Sequence, residues 1–338
     1  MYCVRFFIGV LFAAVVSGSA IAPVGAGPLG DFNVLTFGDY SSTSNSVDGR
    51  LYAGGNVSIN SYSIGAQLSG SLVGGDSLVV GGDLTFPQGS VNNGNVVVGG
   101  SAAGVQSPVT NGLANAGLTL TSGVGYANVP VDFAAQETHF AGLSNAFAGL
   151  SATGTAVQQW GGVYLTGDGT SSQQVFNFDG SLFNGSTYVN LSGVTNGMEI
   201  VFNISGSSVS MSGGLPQFLT DNRENVIYNF FEADSLTLTN IGIQGSVIAP
   251  DATIYGNGGD IWGQVVSDGW DGSTAVHGVY YGGSLPAGFN GGGQTAEVAA
   301  PGMTGLLLLC VAYLLRLRRR EAYRLQIIGG SAAAAAHS

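Results

Sequence analysis

The chain contains no lysine, and its eight arginines stand against 20 carboxylates, for a formal charge of −12. Between residues 27 and 298 only Arg50 and Arg223 are cationic, against 19 carboxylates, which leaves this body at −17. Two cations cannot neutralise a run of phosphates, so nucleic acid is excluded as a partner and anionic lipid is disfavoured. An acidic face suits divalent cations or basic patches on a partner instead. Cysteine is as scarce: Cys3 and Cys310 both lie outside the body, which therefore has neither disulfide nor thiol chemistry. Charged residues make up only 8% of the chain while 45% is hydrophobic, which excludes a solvated disordered polymer. The 57 glycines follow no collagen period and read as turn residues of an all-β fold. No Gly-x-Ser-x-Gly elbow and no His-Glu-x-x-His helix occurs.

Both ends carry sorting features. Arg5, the apolar run 6–16 and the small residues up to Ala26 have the parts of a secretory signal peptide, with cleavage expected after Ala20 or Ala26. Near the other end, Ala299-Ala-Pro301-Gly302 precedes an apolar segment, 303–315, and the cluster Arg316-Leu-Arg318-Arg319-Arg320. Thirteen residues are short for a stable span, which wants roughly 20. The arginines would stay cytoplasmic and hold the body outside. A segment held transiently and then cleaved fits this length, with an ordinary membrane anchor as the alternative. The expected division is a signal peptide over 1–26, a β domain over 27–283 and a Gly-rich linker over 284–298. A sorting or anchor segment follows over 299–320, with a tail over 321–338.

Within the body, short β-branched runs alternate with glycine corners. Gly49-Arg-Leu-Tyr-Ala-Gly-Gly55, Gly70-Ser-Leu-Val-Gly-Gly75, Leu78-Val-Val-Gly-Gly82 and Asn95-Val-Val-Val-Gly-Gly100 read as variants of one strand-and-corner unit. Gly245-Ser-Val-Ile-Ala-Pro250 and Gly263-Gln-Val-Val-Ser-Asp268 repeat at a spacing of 18. Coils of this size predict a β-solenoid of the right-handed parallel β-helix kind; a β-sandwich with Gly-rich hairpins is the alternative. The segment 130–150 breaks the pattern. Its apolar residues Phe133, Phe140, Leu143, Phe147 and Leu150 form a helical stripe, with Asp132 as N-cap. This one amphipathic helix is expected to lie along the solenoid or to close an open end.

Signals for chemistry are sparse. Asp260, Asp268 and Asp271 sit in Gly-rich turns and are the candidate Ca²⁺ ligands, although six to eight oxygens are needed and turn formation explains such residues as well. No other cofactor is expected. His139 and His277 have no metal-spaced partner. Trp160, Trp262 and Trp270 with Tyr280-Tyr281 could stack on carbohydrate or pack in the core. A β-helix polysaccharide lyase would need a basic residue, and only Arg50 and Arg223 could serve.

Several stretches together resemble the choice-of-anchor A family of adhesive domains. They are Leu29-Gly-Asp-Phe-Asn33, Val47-Asp-Gly-Arg-Leu-Tyr-Ala-Gly-Gly-Asn56, the helix from Asp132, Val201-Phe-Asn-Ile-Ser-Gly206, Gly245-Ser-Val-Ile-Ala-Pro-Asp-Ala252 and Ile261-Trp-Gly-Gln-Val265. The C-terminal pattern is similar to the PEP-CTERM class of sorting signals, processed by an exosortase-type transpeptidase in Gram-negative bacteria, although no Glu follows Pro301. The resemblance implies a secreted, surface-sorted β-helical protein with an adhesive or extracellular-matrix (biofilm) role. It implies an unidentified glycan or matrix protein as partner, the membrane through the C-terminal segment, and no catalytic residues. Two other readings compete: an ice- or lattice-binding β-helix, which needs regular Thr or Ser ranks where Thr119/Thr121 and Thr237/Thr239 read as isolated pairs, and a polysaccharide-active enzyme.

Overall fold

The computed structural model describes residues 27–289. Ala26 and the sorting residues Pro301, Gly302, Arg318, Arg319 and Arg320 lie outside the described residues, as do the expected signal and membrane helices. The body is mainly β, a coiled parallel sheet whose coils each pass through up to three faces.

Face A fixes the topology. Along it the strand Leu120–Ser122 pairs with Asn95–Val98, that with Asp76–Val80, that with Leu51–Ala53, and that with Val34–Thr36, all in parallel. The next neighbour of Val34–Thr36 is not a sequence neighbour but Val265–Gly272, followed by Ser246–Trp262, Val226–Asn229, Glu199–Ser205 and Gln173–Asp179. The chain therefore starts in the middle of the stack and coils to one end. It then crosses to the other end and coils back, so that its last full coil closes on its first. Coil length varies: Val34, Leu51, Leu78, Val96 and Leu120 are successive partners, which makes coils of 17, 27, 18 and 24 residues. The expected spacing of 18 holds between Val247 and Val265. The unit at Gly70 is not a strand: Gly70–Leu72 is a 3-10 turn in a surface loop, which lengthens that coil to 27.

The crossing element is the helix Phe133–Ala148, where the stripe predicts one, with Asp132 Oδ1 accepting from Ala135 N at 3.1 Å. Its 16 residues span about 24 Å, the height of about five coils. It lies along the side of the stack. Phe133, Phe140, Leu143 and Phe147 meet a row of outward residues on face A, among them Tyr52, Leu35, Val266, Ile248 and Val201. Face A strands are thus buried on both sides; all residues of Leu51–Ala53 and Val226–Asn229 are buried. Face B strands alternate buried and exposed, as in Tyr40–Thr43, Val57–Asn60 and Ser208–Ser212. The inward residues of all faces form the main core.

Asparagines hold the helix in place. Asn177, Asn203 and Asn229 are in register on neighbouring strands. Asn203 Nδ2 donates to Phe147 O (2.7 Å) and Asn177 Oδ1 (2.9 Å), and Asn229 Nδ2 donates to Ser144 O (2.9 Å) and Asn203 Oδ1 (2.9 Å). Between faces A and B, Gly54, Gly81 and Gly99 stack so closely that a Cβ on Gly81 would lie 2.2 Å from Gly54 O. Two residues on, a second ladder forms: Asp39 Oδ1 accepts from Asn56 N, Asn56 Oδ1 from Asp83 N, and Asp83 Oδ1 from Ser101 N.

Both ends of the stack are covered. A helix without a strong periodic signal, Ser107–Asn115, buries Val109 and Leu113 and packs on Gly89–Val91. At the opposite end a small sheet, Thr155–Gln159 with Gly162–Thr166 and Tyr188–Ser192, inserts Val163 and Leu165 into the main core. The expected linker begins with residues that belong to the fold. Ser284 Oγ donates to Glu199 Oε1 at 2.8 Å, and Phe289 meets His139 edge-on at 5.6 Å.

Candidate binding face

The helix covers face A, whereas face B carries a continuous outward row of side chains. Ser210, Thr237, Tyr255 and Asp271 are successive register partners, and Asp271 continues into Ser41, Ser58 and Thr85. A second row runs beside it in two pieces, Ser212–Thr239–Asn257 and Thr43–Asn60. Neighbours within a row are about 4.8 Å apart. Thr237 and Thr239, isolated in the sequence, thus join ranks of hydroxyls contributed by both halves of the stack. Tyr255, 45% exposed, and Asp271 interrupt the central rank where the halves meet.

Rigidity under this face comes from its inward residues. Trp270 stacks on Tyr40 at 5.6 Å between centroids, and Tyr40 shares a 2.7 Å hydrogen bond with Tyr62. Burial pushes the Tyr62 phenol up to about 12. The aromatic residues singled out from the sequence do not form one surface. Trp270 and Tyr281 are buried, and Trp160 stands exposed on the end sheet. Trp262 is half-buried on the third face, face C, where the end of Ser246–Trp262 pairs with Ala275–His277, that with Ser46–Val47, that with Tyr62–Ile64 and that with Gly89–Val91.

The three calcium candidates are likewise kept apart. Asp271 points out from face B beside Ser41. Asp268 lies at the corner between faces A and B, where burial, then Asp251 and Asp39, raise its carboxyl above the ordinary range. Asp260 sits on face C, accepting from Trp262 Nε1 at 2.9 Å. Among the described residues no three His, Cys, Asp or Glu side chains gather as a metal ion would require.

His277 stacks on Trp262 at 3.9 Å and contacts Asp48 through Nδ1 at 3.0 Å, while the Arg223 guanidinium covers Trp262 at 4.6 Å. Arg50 is buried against Asp31 and donates to Tyr52 Oη (3.3 Å) and to the carbonyls of Leu72 and Gly74 (both 3.1 Å), so it anchors the loop at Gly70. Burial raises the Asp31 carboxyl even against the pull of Arg50. Arg50 thus holds the fold, and Arg223 makes a local bond from Nε to Thr220 O at 2.8 Å besides its contact with Trp262.

A family model described as "Putative Ice-binding-like adhesive domain" matches residues 25–278. Among solved structures, the chain is similar to an ice-binding protein from the Antarctic ascomycete Antarctomyces psychrotrophicus. The identity is 15%, over 74% of this chain and 96% of that one, with a TM-score of 0.27. The fold rests on the strand pairings above. No curated protein matches the chain. The match over three quarters of the sequence agrees with a stack whose open face is a ladder of side chains: the chain belongs to the family of ice-binding-like adhesive domains.

Proposed function

We propose that the protein is a secreted, surface-attached adhesive domain that holds a partner through face B without turnover. The observation that carries this reading is the in-register row from Ser210 to Thr85 on face B, which the helix leaves open. Arg50 is held by the carbonyls of Leu72 and Gly74, and Arg223 lies over Trp262, which counts against either as a lyase base. The partner class is a surface glycan or a matrix protein. Export through the 1–26 segment and sorting through 299–320 by an exosortase-type transpeptidase would place this face outside the cell, as in the choice-of-anchor A proteins that the chain resembles. The test is an array of glycans and matrix proteins probed with the purified protein, with and without chelator. Retention without product formation supports the reading; release of reducing ends or unsaturated sugars contradicts it.

The Ser and Thr ranks also support a second reading, binding to an ice lattice. Tyr255 and Asp271 break the regularity such a lattice match needs. Thermal hysteresis by the protein would favour this reading over adhesion to a biological surface.

A further inference from the structure

The end sheet has two faces. Val163 and Leu165 point into the core, and the opposite face carries Val157, Tyr164 and Tyr188, with Trp160 at the tip of the hairpin. Trp160 is 80% exposed and Val157 50%, which places both among the most exposed large hydrophobic residues described. Trp160 also has a φ of +49° and Gly161 one of +77°, so the pair forms the two-residue loop of a hairpin closed by Gln159 and Gly162. That first loop position favours Asn, Asp or Gly. Among the described residues the other non-glycine residues with positive φ are serines and asparagines, and Trp160 is the one bulky exception. An indole at this position carries a backbone strain that Asn or Gly would not.

The surroundings hold the indole in a defined place. Its ring meets Tyr164 edge-on at 5.5 Å, and Tyr164 meets Tyr188 at 5.9 Å. Tyr188 Oη donates to the Trp160 carbonyl at 3.3 Å and therefore accepts from Tyr164 Oη at 2.6 Å. The Tyr188 ring lies against Gly162 so closely that a Cβ there would meet it at 2.5 Å. No charged residue occurs in 151–167 or 180–198, the two stretches that build this sheet. The rim is instead amide and hydroxyl, with Asn190 beside Tyr164 in register and Gln159 at the turn.

We propose that this aromatic platform is a second binding site, separate from face B, and that its ligand is a neutral saccharide. A pyranose ring presents an apolar C–H face to an indole and hydroxyls at its edge to amides and phenols. An uncharged platform fits that ligand better than it fits a polyanion, a charged peptide or an anionic membrane.

Trp160→Asn tests the site without threatening the fold, because Asn suits the turn that Trp160 strains. The probes are cellulose, β-1,3-glucan, mannan and galactan as retention matrices, phosphatidylcholine vesicles, and sedimentation for self-association. We expect the full protein to be retained on at least one neutral polysaccharide. W160N should lose that retention at least ten-fold with an unchanged or raised thermal midpoint, and Trp160→Phe should keep part of it. Thr237→Arg on face B should leave it intact, which separates this site from the face B reading. No retention on any of the four polysaccharides, retention equal in W160N, or a W160N effect confined to vesicles or self-association would overturn the proposal.

Discussion

Asn33 joins the two ends of the described chain: its Nδ2 donates to the carbonyl of Gly263, 230 positions along the sequence, at 2.8 Å. The same amide donates to His277 O at 3.1 Å and accepts from Gly49 N at 3.0 Å. Gln264, also fully buried, donates to Gly30 O and Phe32 O from the other side of the seam. The closure of the last coil on the first is therefore held by side-chain amides as well as by the ladder from Val34 to Val265.

Replacing Asn33 by Ala leaves two buried backbone groups, Gly263 O and Gly49 N, without their partner, while His277 O keeps its bond from Val279 N. We expect a loss of about 3 kcal/mol, the scale of unsatisfied buried polar groups, seen as a lower midpoint in chemical denaturation. Wild-type stability in this variant would mean that the seam is closed by strand pairing alone.

Asn229 is buried between the helix and the stack, and its Oδ1 accepts from Ser144 Oγ at 2.7 Å. Asn229→Ala should cost about 3 kcal/mol. Hydrogen exchange should speed up in Phe133–Ala148 more than in face B, because the lost contacts are those that anchor the helix.

Much of this architecture was legible locally. The stripe Phe133–Phe140–Leu143–Phe147 is a period, and a period is visible in sequence; so is the 18-residue spacing that becomes the Val247–Val265 pair. What joins Val34 to Val265 is a closure between distant segments, which no local pattern encodes. The Gly70 unit misled because a loop glycine and a corner glycine look alike, while only the corner glycines, such as Gly81, are set by a neighbouring backbone. Ser107–Asn115 was missed because its buried residues are two, Val109 and Leu113, too few to make a stripe. The face B ranks were hidden for the same reason as the seam. Thr237 acquires Ser210 as a neighbour only through coil register.

Asp268 gives the pH dependence its sign. Its carboxyl is raised, so the folded state binds the proton more tightly than the unfolded chain does, and ionisation opposes folding. That penalty is absent below the ordinary value of 3.8 and present in full once the pH exceeds the raised value. Asp268→Asn should therefore raise the thermal midpoint at pH 7 and leave it unchanged at pH 3. A gain that persists at pH 3 would show that the carboxylate charge is not the cause.

Face B is the proposed adhesive surface. The most direct measurement is retention of the Ser58→Arg/Thr237→Arg double variant on a glycan or matrix protein that retains the wild type and Trp160→Asn equally, with thermal unfolding as the check on folding. The prediction is at least a ten-fold loss of retention, about 1.4 kcal/mol, at an unchanged unfolding midpoint. Equal retention of both proteins, or no retention of the wild type on any such surface, would contradict it.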